Sequence, residues 1–372
     1  MHTMYRLLFT VIAVLGAAGM AGQTVVVDSE DGGVIAGASV FSASGAVAGI
    51  SGSDGRVPEQ SIKSFPVTVR SLGYEPVTLT APTDTVRLRS SFISLPEVAV
   101  NEKTRDVLRQ VCYVREYLGI TTGADTTMIF AEYMVDYFIP RHKLKKYKFH
   151  DTPTVLCRRN YERFGNDSIA VNDPDVEALS FLQFATADST RFNEIESLRN
   201  LAAGNDTVMG KYNVKRIIRK TDKGYYITHD MLADDKDHTL SPWIFKMLGL
   251  TMDMTDVLST AGYNRNGTGR YGPEDMAFMS QTIRATARGK WFKKWLKTKD
   301  PIEISAYYEV YPIDYEYLTA EESKAMEKET RYLDHITVPP TAPALDNATA
   351  ALVAHGEALK ASMKGENEPA AD

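Results

Sequence analysis

The sequence contains little cysteine and no excess of positive charge. Its 372 residues include only two cysteines, Cys112 and Cys157, which either form one disulfide or remain two buried free thiols. We expect free thiols, and no neighbouring base activates either one as a nucleophile. Lysine and arginine number 42 against 48 acidic residues, for a formal net charge of −6. Binding to nucleic acid requires a basic surface, so we expect no nucleic acid partner.

Recognisable catalytic motifs are absent as well. The sequence has no Gly-x-Ser-x-Gly run and no set of serine, histidine and aspartate at a known spacing. The glycine-rich stretch between Gly262 and Gly272 lacks the lysine and the strand–loop–helix setting of a phosphate-binding loop. We therefore predict that the protein is not an enzyme and requires no cofactor.

Residues 1–22 have the order of a secretory signal peptide. Arg6 precedes the short apolar run Leu7–Leu15, and small residues follow at Gly16–Gly19. The run is too short for a comfortable membrane span, although an uncleaved anchor is the alternative. No cysteine lies near the cleavage zone to accept a lipid. We therefore expect a protein of the periplasm or cell envelope that is not a lipoprotein.

Residues 23–100 carry short strands separated by turns. The β-branched run Thr24–Asp28 ends in a turn, and Val34–Phe41 then alternates with a period near two. Asp54-Gly55 can supply a positive φ for a tight turn. Further strands are predicted at Pro66–Leu72, Val77–Leu79 and Thr85–Leu88, a spacing typical of a β-sandwich.

Three of these segments carry a resemblance. In order they are Ile35–Val40, Gly52–Arg56 and Val69–Tyr74. Together they resemble the carboxypeptidase-regulatory-like domain, a small Greek-key β-sandwich of exported bacterial proteins. Leu95–Val100 is similar to the segment that closes this domain before TonB-dependent transporters. The sequence departs from the pattern at Arg56–Pro58, where an aromatic strand residue is common, so that strand is expected to be short. The resemblance implies a non-catalytic accessory module.

Residues 101–335 mix helical and strand patterns. Thr104 is a candidate cap for a helix to about Leu118, with Cys112 on its apolar side. Two further helices are predicted between residues 175 and 203, one near Pro242–Leu250 and one at Glu321–Thr330. Strands are predicted at Thr127–Phe138, Val155–Phe164, Val214–Arg219, Tyr225–Met231, Met276–Ala287 and Ile302–Tyr311.

This order predicts a multidomain protein, in which an all-β sandwich precedes an α+β domain with a curved antiparallel sheet covered on one side. The second domain loosely resembles the half-open barrels that carry lipids or lipoproteins across the periplasm. That is an analogy of fold, without a shared motif. Residues 336–372 are predicted to be a proline-containing linker, an isolated helix near Leu345–Met363 and a disordered tail.

Two groups of residues are candidate sites. The first holds six potential metal ligands, although at no known zinc or calcium spacing, and a solvated acidic turn accounts for it equally well. Its members are His229, Asp230, Asp234, Asp235, Asp237 and His238. The second combines lysines with aromatic rings and suits an anionic membrane or an acidic partner. Its members are Lys290, Trp291, Lys293, Lys294 and Trp295. The alternative is a hairpin end whose rings pack inward.

From these patterns we predict a non-enzymatic binding or assembly protein of the periplasm or cell envelope. The expected ligand is a lipid, a glycan or an outer-membrane protein. The alternative function is an envelope hydrolase with a site near His229–His238. Binding at the second candidate site does not require catalysis, and the sequence supplies no motif for hydrolysis at the first.

Overall fold

Strands dominate the part of the chain that the structure describes. This computed structural model describes residues 23–91, 105–123, 125–140, 154–164, 168–171, 204–234, 239–240, 250–264, 273–290, 298, 300–329, 333 and 335–366. The predicted signal peptide, the helices predicted between residues 175 and 203, and nearly all of the helix predicted near Pro242–Leu250 lie outside the described residues.

The described N-terminal residues form two small sheets that pack on each other. Their strands are β1 Val25–Asp28, β2 Ser39–Phe41, β3 Val47–Ile50, β4 Val67–Arg70, β5 Val77–Leu79 and β6 Thr85–Leu88. Four of them form an antiparallel sheet in the order β3-β2-β4-β5, and β1 pairs in parallel with β6. Fully buried Val26, Val40, Val69 and Leu88 lie in the core that these sheets share. We call this unit the sandwich.

Most of the strands predicted for this unit are present. The alternation predicted from Val34 yields a strand only at its end, in β2. The strand expected to be short is reduced to a single bridge between Arg56 and Val25. Pro58 follows, and a short 3-10 helix occupies Glu59–Ser61. Proline cannot donate a ladder hydrogen bond, which explains why pairing stops here.

The remaining strands form one large antiparallel sheet. They are β7 Val107–Thr122, β8 Asp125–Pro140, β9 Thr154–Phe164, β10 Ser168–Val171, β11 Gly204–Met209, β12 Val214–Lys220, β13 Gly224–Asp230, β14 Thr239–Leu240, β15 Leu250–Asn264, β16 Met276–Gly289 and β17 Ile302–Leu318. Their order is β10-β9-β8-β7-β17-β16-β15-β13-β12-β11, with β14 beside β15. In the described sheet, strands β7–β10 therefore form one group and strands β11–β16 a second group. Strand β17 lies between the two groups and pairs with both. The hairpin of β12 and β13 and the two long strands β16 and β17 confirm the sequence predictions.

The helix predicted from Thr104 to Leu118 is wrong. These residues lie largely in the 16-residue strand β7, which is buried on both faces from Cys112 to Ile120. A strand buried on both faces lacks the alternation of apolar and polar residues that marks a half-exposed strand. Val107, Val111 and Val114 match helical spacing by chance, and this match led to the wrong prediction.

The two faces of the large sheet differ in what they contact. Side chains alternate between faces along a strand, so neighbours in sequence separate. One set packs toward the sandwich and includes Tyr113, Met134, Phe278 and Tyr311. We call this the sandwich face. The other set forms a separate apolar layer, which includes Leu108, Val114, Tyr133, Tyr308 and Val310. We call this the opposite face.

The sandwich shares one core with the large sheet. Gly73 has φ +80, and a Cβ there would lie 2.6 Å from the ring of Phe278, so the backbone approaches the sheet closely. Ser39 Oγ and Thr282 Oγ1 are hydrogen-bonded at 2.9 Å between the two units. The sandwich therefore covers part of the sheet rather than standing apart from it. Division of the chain into independently folding domains remains a prediction.

Two helices follow β17. The first, α1 (Ala320–Lys328), begins with a capping box in which Thr319 and Glu322 satisfy each other's backbone N–H groups. The second, α2 (Asn347–Glu366), confirms the predicted alanine-rich helix, but it is not isolated. Its Leu352 is buried against Tyr161 and other residues of the sandwich face. No described helix combines the length and hydrophobicity needed to cross a bilayer.

Candidate functional site

The lysine-rich candidate site lies almost wholly outside the described residues. Lys290, at the end of β16, is exposed. Trp291, Lys293, Lys294 and Trp295 are not described. Whether their rings point outward or inward therefore stays a prediction.

The candidate metal ligands are only partly described. Asp234 lies in the turn after β13, where it accepts hydrogen bonds from Lys215 Nζ at 2.6 Å and from Lys211 N at 2.9 Å. The hydrogen bond from Lys215 is the main reason that the pKa of Asp234 is below its ordinary value. Among the described residues, no group of three or more histidine, cysteine or acidic side chains could hold a metal ion. Asp235, Asp237 and His238 are not described.

Both cysteines are free thiols, as expected. Cys112 is fully buried on the opposite face, where desolvation raises the pKa of its thiol. Cys157 is half-buried on β9, and its Sγ donates a hydrogen bond to the carbonyl of His335 at 3.4 Å. Burial also raises the pKa of Cys157. Neither thiol has the lowered pKa of a nucleophile.

The structure brings together a row of charged residues that the sequence did not single out. Glu309, Arg115, Glu132 and Arg159 lie directly opposite one another on β17, β7, β8 and β9. Their signs alternate across four adjacent strands of the sandwich face. Neighbouring charges approach to 3.9 Å, 3.8 Å and 2.5 Å along the row. We call this row the charge ladder.

The charge ladder is deeply buried except at its outer end. The side chains of Glu309, Arg115 and Glu132 are at most 4% exposed, and that of Arg159 is 34% exposed. Tyr113 donates a hydrogen bond to Glu132, and Tyr311 Oη donates one to Glu309 at 3.1 Å. Buried charges are tolerated when they are paired and hydrogen-bonded in this way.

Arg70 of the sandwich adds a further cation beside Glu309, at one end of the charge ladder. Its guanidinium donates to Tyr117 Oη at 2.7 Å and lies 3.7 Å from Glu309 and 2.6 Å from Asp346. It also stacks over the rings of Phe41 and Tyr117, at 5.5 Å and 4.6 Å from their centroids. Arg70 thus links the sandwich, β17 and the start of α2.

We call the place where Arg70, Arg115, Glu309 and Asp346 meet the junction. Hydrogen bonds and an ion pair attach the C-terminal residues at and beside it. Asp346 caps α2 by accepting hydrogen bonds from Thr349, while it also pairs with Arg70. Arg115 Nη1 donates to the carbonyl of Pro343 at 2.6 Å, and Tyr161 Oη donates to Glu357 at 2.5 Å. The stretch predicted as a linker is therefore a docked part of the fold, because its polar groups complete a buried network.

The pKa of Asp346 reflects its position in this network. Burial alone would raise the pKa, but the charge of Arg70 and the hydrogen bonds from Thr349 lower it below its ordinary value. Burial raises the pKa values of the surrounding tyrosines, including Tyr113 and Tyr117. The tyrosines therefore remain neutral hydrogen-bond donors at physiological pH, while the carboxylate remains charged.

A second ion-pair cluster fixes the other side of the sandwich. Arg219 of β12 donates to Asp28 at 2.9 Å and to Asp31 at 2.8 Å, and it also contacts Tyr74. Burial works to raise the pKa of Asp28, but its hydrogen bonds from Glu30 N, Arg219 and Tyr74 lower it overall. The sandwich is thus clamped to both halves of the large sheet by buried arginines.

An open cleft of about 730 Å³ lies beside the junction. Its walls come from the sandwich and from the chain that leads into α2. The described lining residues are Glu75, Pro76, Thr78, Ser90, Ser91, Pro340, Ala342, Pro343, Ala344, Leu345, Asp346 and Asn347. Its size falls within the usual range of ligand sites.

The opposite face has a different chemistry. Its buried layer crosses seven strands, from β8 to β12, and contains mostly aliphatic and tyrosine side chains. Polar contacts interrupt it: Tyr133 Oη donates to Glu116 at 3.2 Å, Tyr308 Oη donates to Gln281 at 2.8 Å, and Gln110 Nε2 donates to the carbonyl of Pro273 at 2.7 Å. No described helix packs on this face.

Sequence reasoning missed the residues of the charge ladder, together with Arg70 and Asp346. Charged residues in strand patterns are normally assigned to solvent. The one available signal was the repeated tyrosine and charge in β7 and β17, where Tyr113, Arg115, Tyr117, Tyr307 and Glu309 share one parity. Their pairing depends on a register between strands almost 200 residues apart, which no local pattern encodes.

Comparisons with known proteins identify no family. No protein-family model matches the chain, and no curated protein matches it. Among solved structures, one from a study of lipid–protein interactions in lipovitellin is similar over 58% of this chain, with 8% identity and a TM-score of 0.29. The matched region is 26% of the lipovitellin chain, so this chain spans about a quarter of it. A likeness of this degree supports no conclusion about this chain.

Proposed function

We propose that this protein is a non-enzymatic binding protein of the cell envelope, which takes an apolar ligand of the lipid class against the opposite face of the large sheet. One observation carries the proposal: an apolar layer crosses seven strands of the opposite face, buried at its centre and bounded by apolar side chains that are only partly buried. An antiparallel sheet in water normally needs cover on each face that is apolar.

The rim of this layer is where such a ligand would enter. Several apolar side chains there are only partly buried and pack against the layer. They are Ile227, Met231, Leu232, Met252 and Tyr315. The sandwich, α1 and α2 all lie on the sandwich face, so among the described elements these three do not cover the rim.

Lipid binding is tested by isolating the protein from cell envelopes and measuring co-purified lipid by mass spectrometry, then by titrating a fluorescent fatty acid. Met252→Gln places an amide on the rim. Burying a methionine stabilises by roughly 1.5–3 kcal/mol, so we expect at least roughly tenfold weaker binding of the probe.

The matched control is Thr251→Gln, the neighbouring residue of β15 on the other face. We expect this variant to bind the probe as the native protein does. Absence of both co-purified lipid and probe binding, or equal losses in the two variants, would refute the proposal.

A further inference from the structure

One wall of the cleft beside the junction comes from the chain around β5, at the edge of the sandwich. Among the described residues, β5 (Val77–Leu79) is the terminal strand of the four-stranded sheet of the sandwich and pairs with β4 alone. Antiparallel pairing of Tyr74 with Ser90 stops at Pro76, which has no N–H to continue it. An edge strand presents unpaired backbone groups to an incoming chain. Thr78 of this strand lines the cleft.

A polar atom at this site lacks a partner. Ser91 lines the cleft, and its Oγ is buried without a hydrogen-bond partner among the described residues. Its backbone N–H is occupied by the carbonyl of Gly73 at 2.9 Å. A buried hydroxyl without a partner is costly, and a bound ligand with a hydrogen-bonding group would satisfy it.

The far wall of the cleft is held in place. Proline fixes φ at Pro340 and Pro343, which restricts the backbone there. The carbonyl of Pro343 accepts a hydrogen bond from buried Arg115, and Asp346 is paired with buried Arg70. The groove is therefore formed before any ligand arrives, so less conformational entropy is lost on binding.

The lining chemistry selects among ligand classes. Among the described lining residues, Glu75 and Asp346 are acidic, and none is basic or aromatic. Because Asp346 already pairs with Arg70, Glu75 is the acidic group that an incoming cation would meet. The hydroxyls and carboxylates do not suit an acyl chain, and there is no ring on which a sugar could stack. A strand edge, hydroxyls and negative charge together match an extended polypeptide that carries cationic side chains.

We propose that this cleft binds an extended, lysine- or arginine-containing segment of a partner protein, which adds as a strand to the edge of β5. Its backbone pairs with Val77–Leu79, and a cationic side chain reaches Glu75. This site is on the sandwich and does not depend on lipid binding at the opposite face.

The probe is a synthetic eight-residue peptide of alternating lysine and threonine, labelled for fluorescence anisotropy with the full-length protein. Glu75→Lys should weaken its binding at least about tenfold, since like charges then face each other. Glu59→Lys makes the same change on an exposed residue of the sandwich outside the cleft lining and should leave the affinity unchanged.

Two modified peptides separate strand addition from simple charge attraction. One is N-methylated at its odd residues and the other at its even residues. Only one edge of an added strand pairs with β5, so one peptide should bind as before and the other should lose binding. The proposal is overturned if the parent peptide does not bind, if both methylated peptides bind equally, or if Glu59→Lys weakens binding as much as Glu75→Lys.

Discussion

Both faces of the large sheet are buried, but the side chains that they bury differ in kind. The sandwich face combines tyrosines with paired charges, centred on Arg115 and Arg70. The opposite face is an apolar layer with a few polar contacts, among them Tyr133 with Glu116 and Tyr308 with Gln281. Apolar contact is non-directional and proportional to area, whereas a buried ion pair is favourable only in one geometry. The ion pairs of the sandwich face therefore fix the position of the sandwich on the sheet. The apolar contacts of the opposite face stabilise the fold and tolerate small changes of side-chain shape.

The largest expected effect comes from breaking the charge ladder. Arg115→Ala leaves Glu132 and Glu309 buried without their shared cation, and we expect a loss of roughly 3–5 kcal/mol in the free energy of unfolding. Denaturant unfolding measures this loss. The matched control is Arg288→Ala, which removes an exposed pair with Asp253 and should cost no more than about 1 kcal/mol. Equal losses in the two variants would show that the ladder does not fix the sandwich face.

A smaller effect is expected at the attachment of α2. Asp346→Asn removes the charge that pairs with Arg70, and we expect a loss of roughly 1–3 kcal/mol in the free energy of unfolding. In the native protein the pKa of Asp346 is lowered, so its contribution is complete above the ordinary value of about 3.9 and is lost as pH falls through the folded value.

Hydrogen exchange of residues 347–366 at a series of pH values tests this attachment. Protection relative to the intrinsic exchange rate at each pH should fall in the native protein as the pH drops below about 4, whereas Asp346→Asn should already be less protected at neutral pH and respond less to acid. If the variant and the native protein show the same profile, Asp346 does not hold α2 in place.

The smallest effect is expected on the opposite face. Ile304→Val deletes one buried methylene there and should cost about 0.5–1.5 kcal/mol. Denaturant unfolding again provides the measurement. A loss as large as that of Arg115→Ala would mean that packing on the two faces is equally specific, which would remove the distinction drawn between them.

Much of the secondary structure could be predicted from local patterns. Alternation and turns predict the β12–β13 hairpin and the long strands β16 and β17, and the helices predicted at Glu321–Thr330 and near Leu345–Met363 correspond to α1 and α2. Strand β7 could not be predicted, because burial on both faces removes the alternation that marks a strand. Its charged residues Arg115 and Glu116 were consistent with the exposed side of a helix, whereas both are buried.

The junction could not be predicted at all. Its cations and anions come from Arg70, Arg115, Glu309 and Asp346, which lie far apart in the sequence. The pairing of β17 with β7 joins Glu309 to Arg115, and packing of the sandwich and of the chain before α2 adds Arg70 and Asp346. The proline-containing stretch before α2 has the composition of a linker, and its buried contacts depend on partners that no neighbouring residue reveals.

The position of β17 has a consequence for the order in which the protein can assemble. It is the last strand in the sequence, yet it lies at the centre of the sheet between β7 and β16. Before β17 is available, the strands that precede it can form at most two separate meanders, β7–β10 and β11–β16. Arg115 then lacks the carboxylate of Glu309, which β17 supplies. A chain that emerges from a ribosome or crosses a membrane from its N-terminus therefore cannot complete its sheet until nearly all of it has arrived.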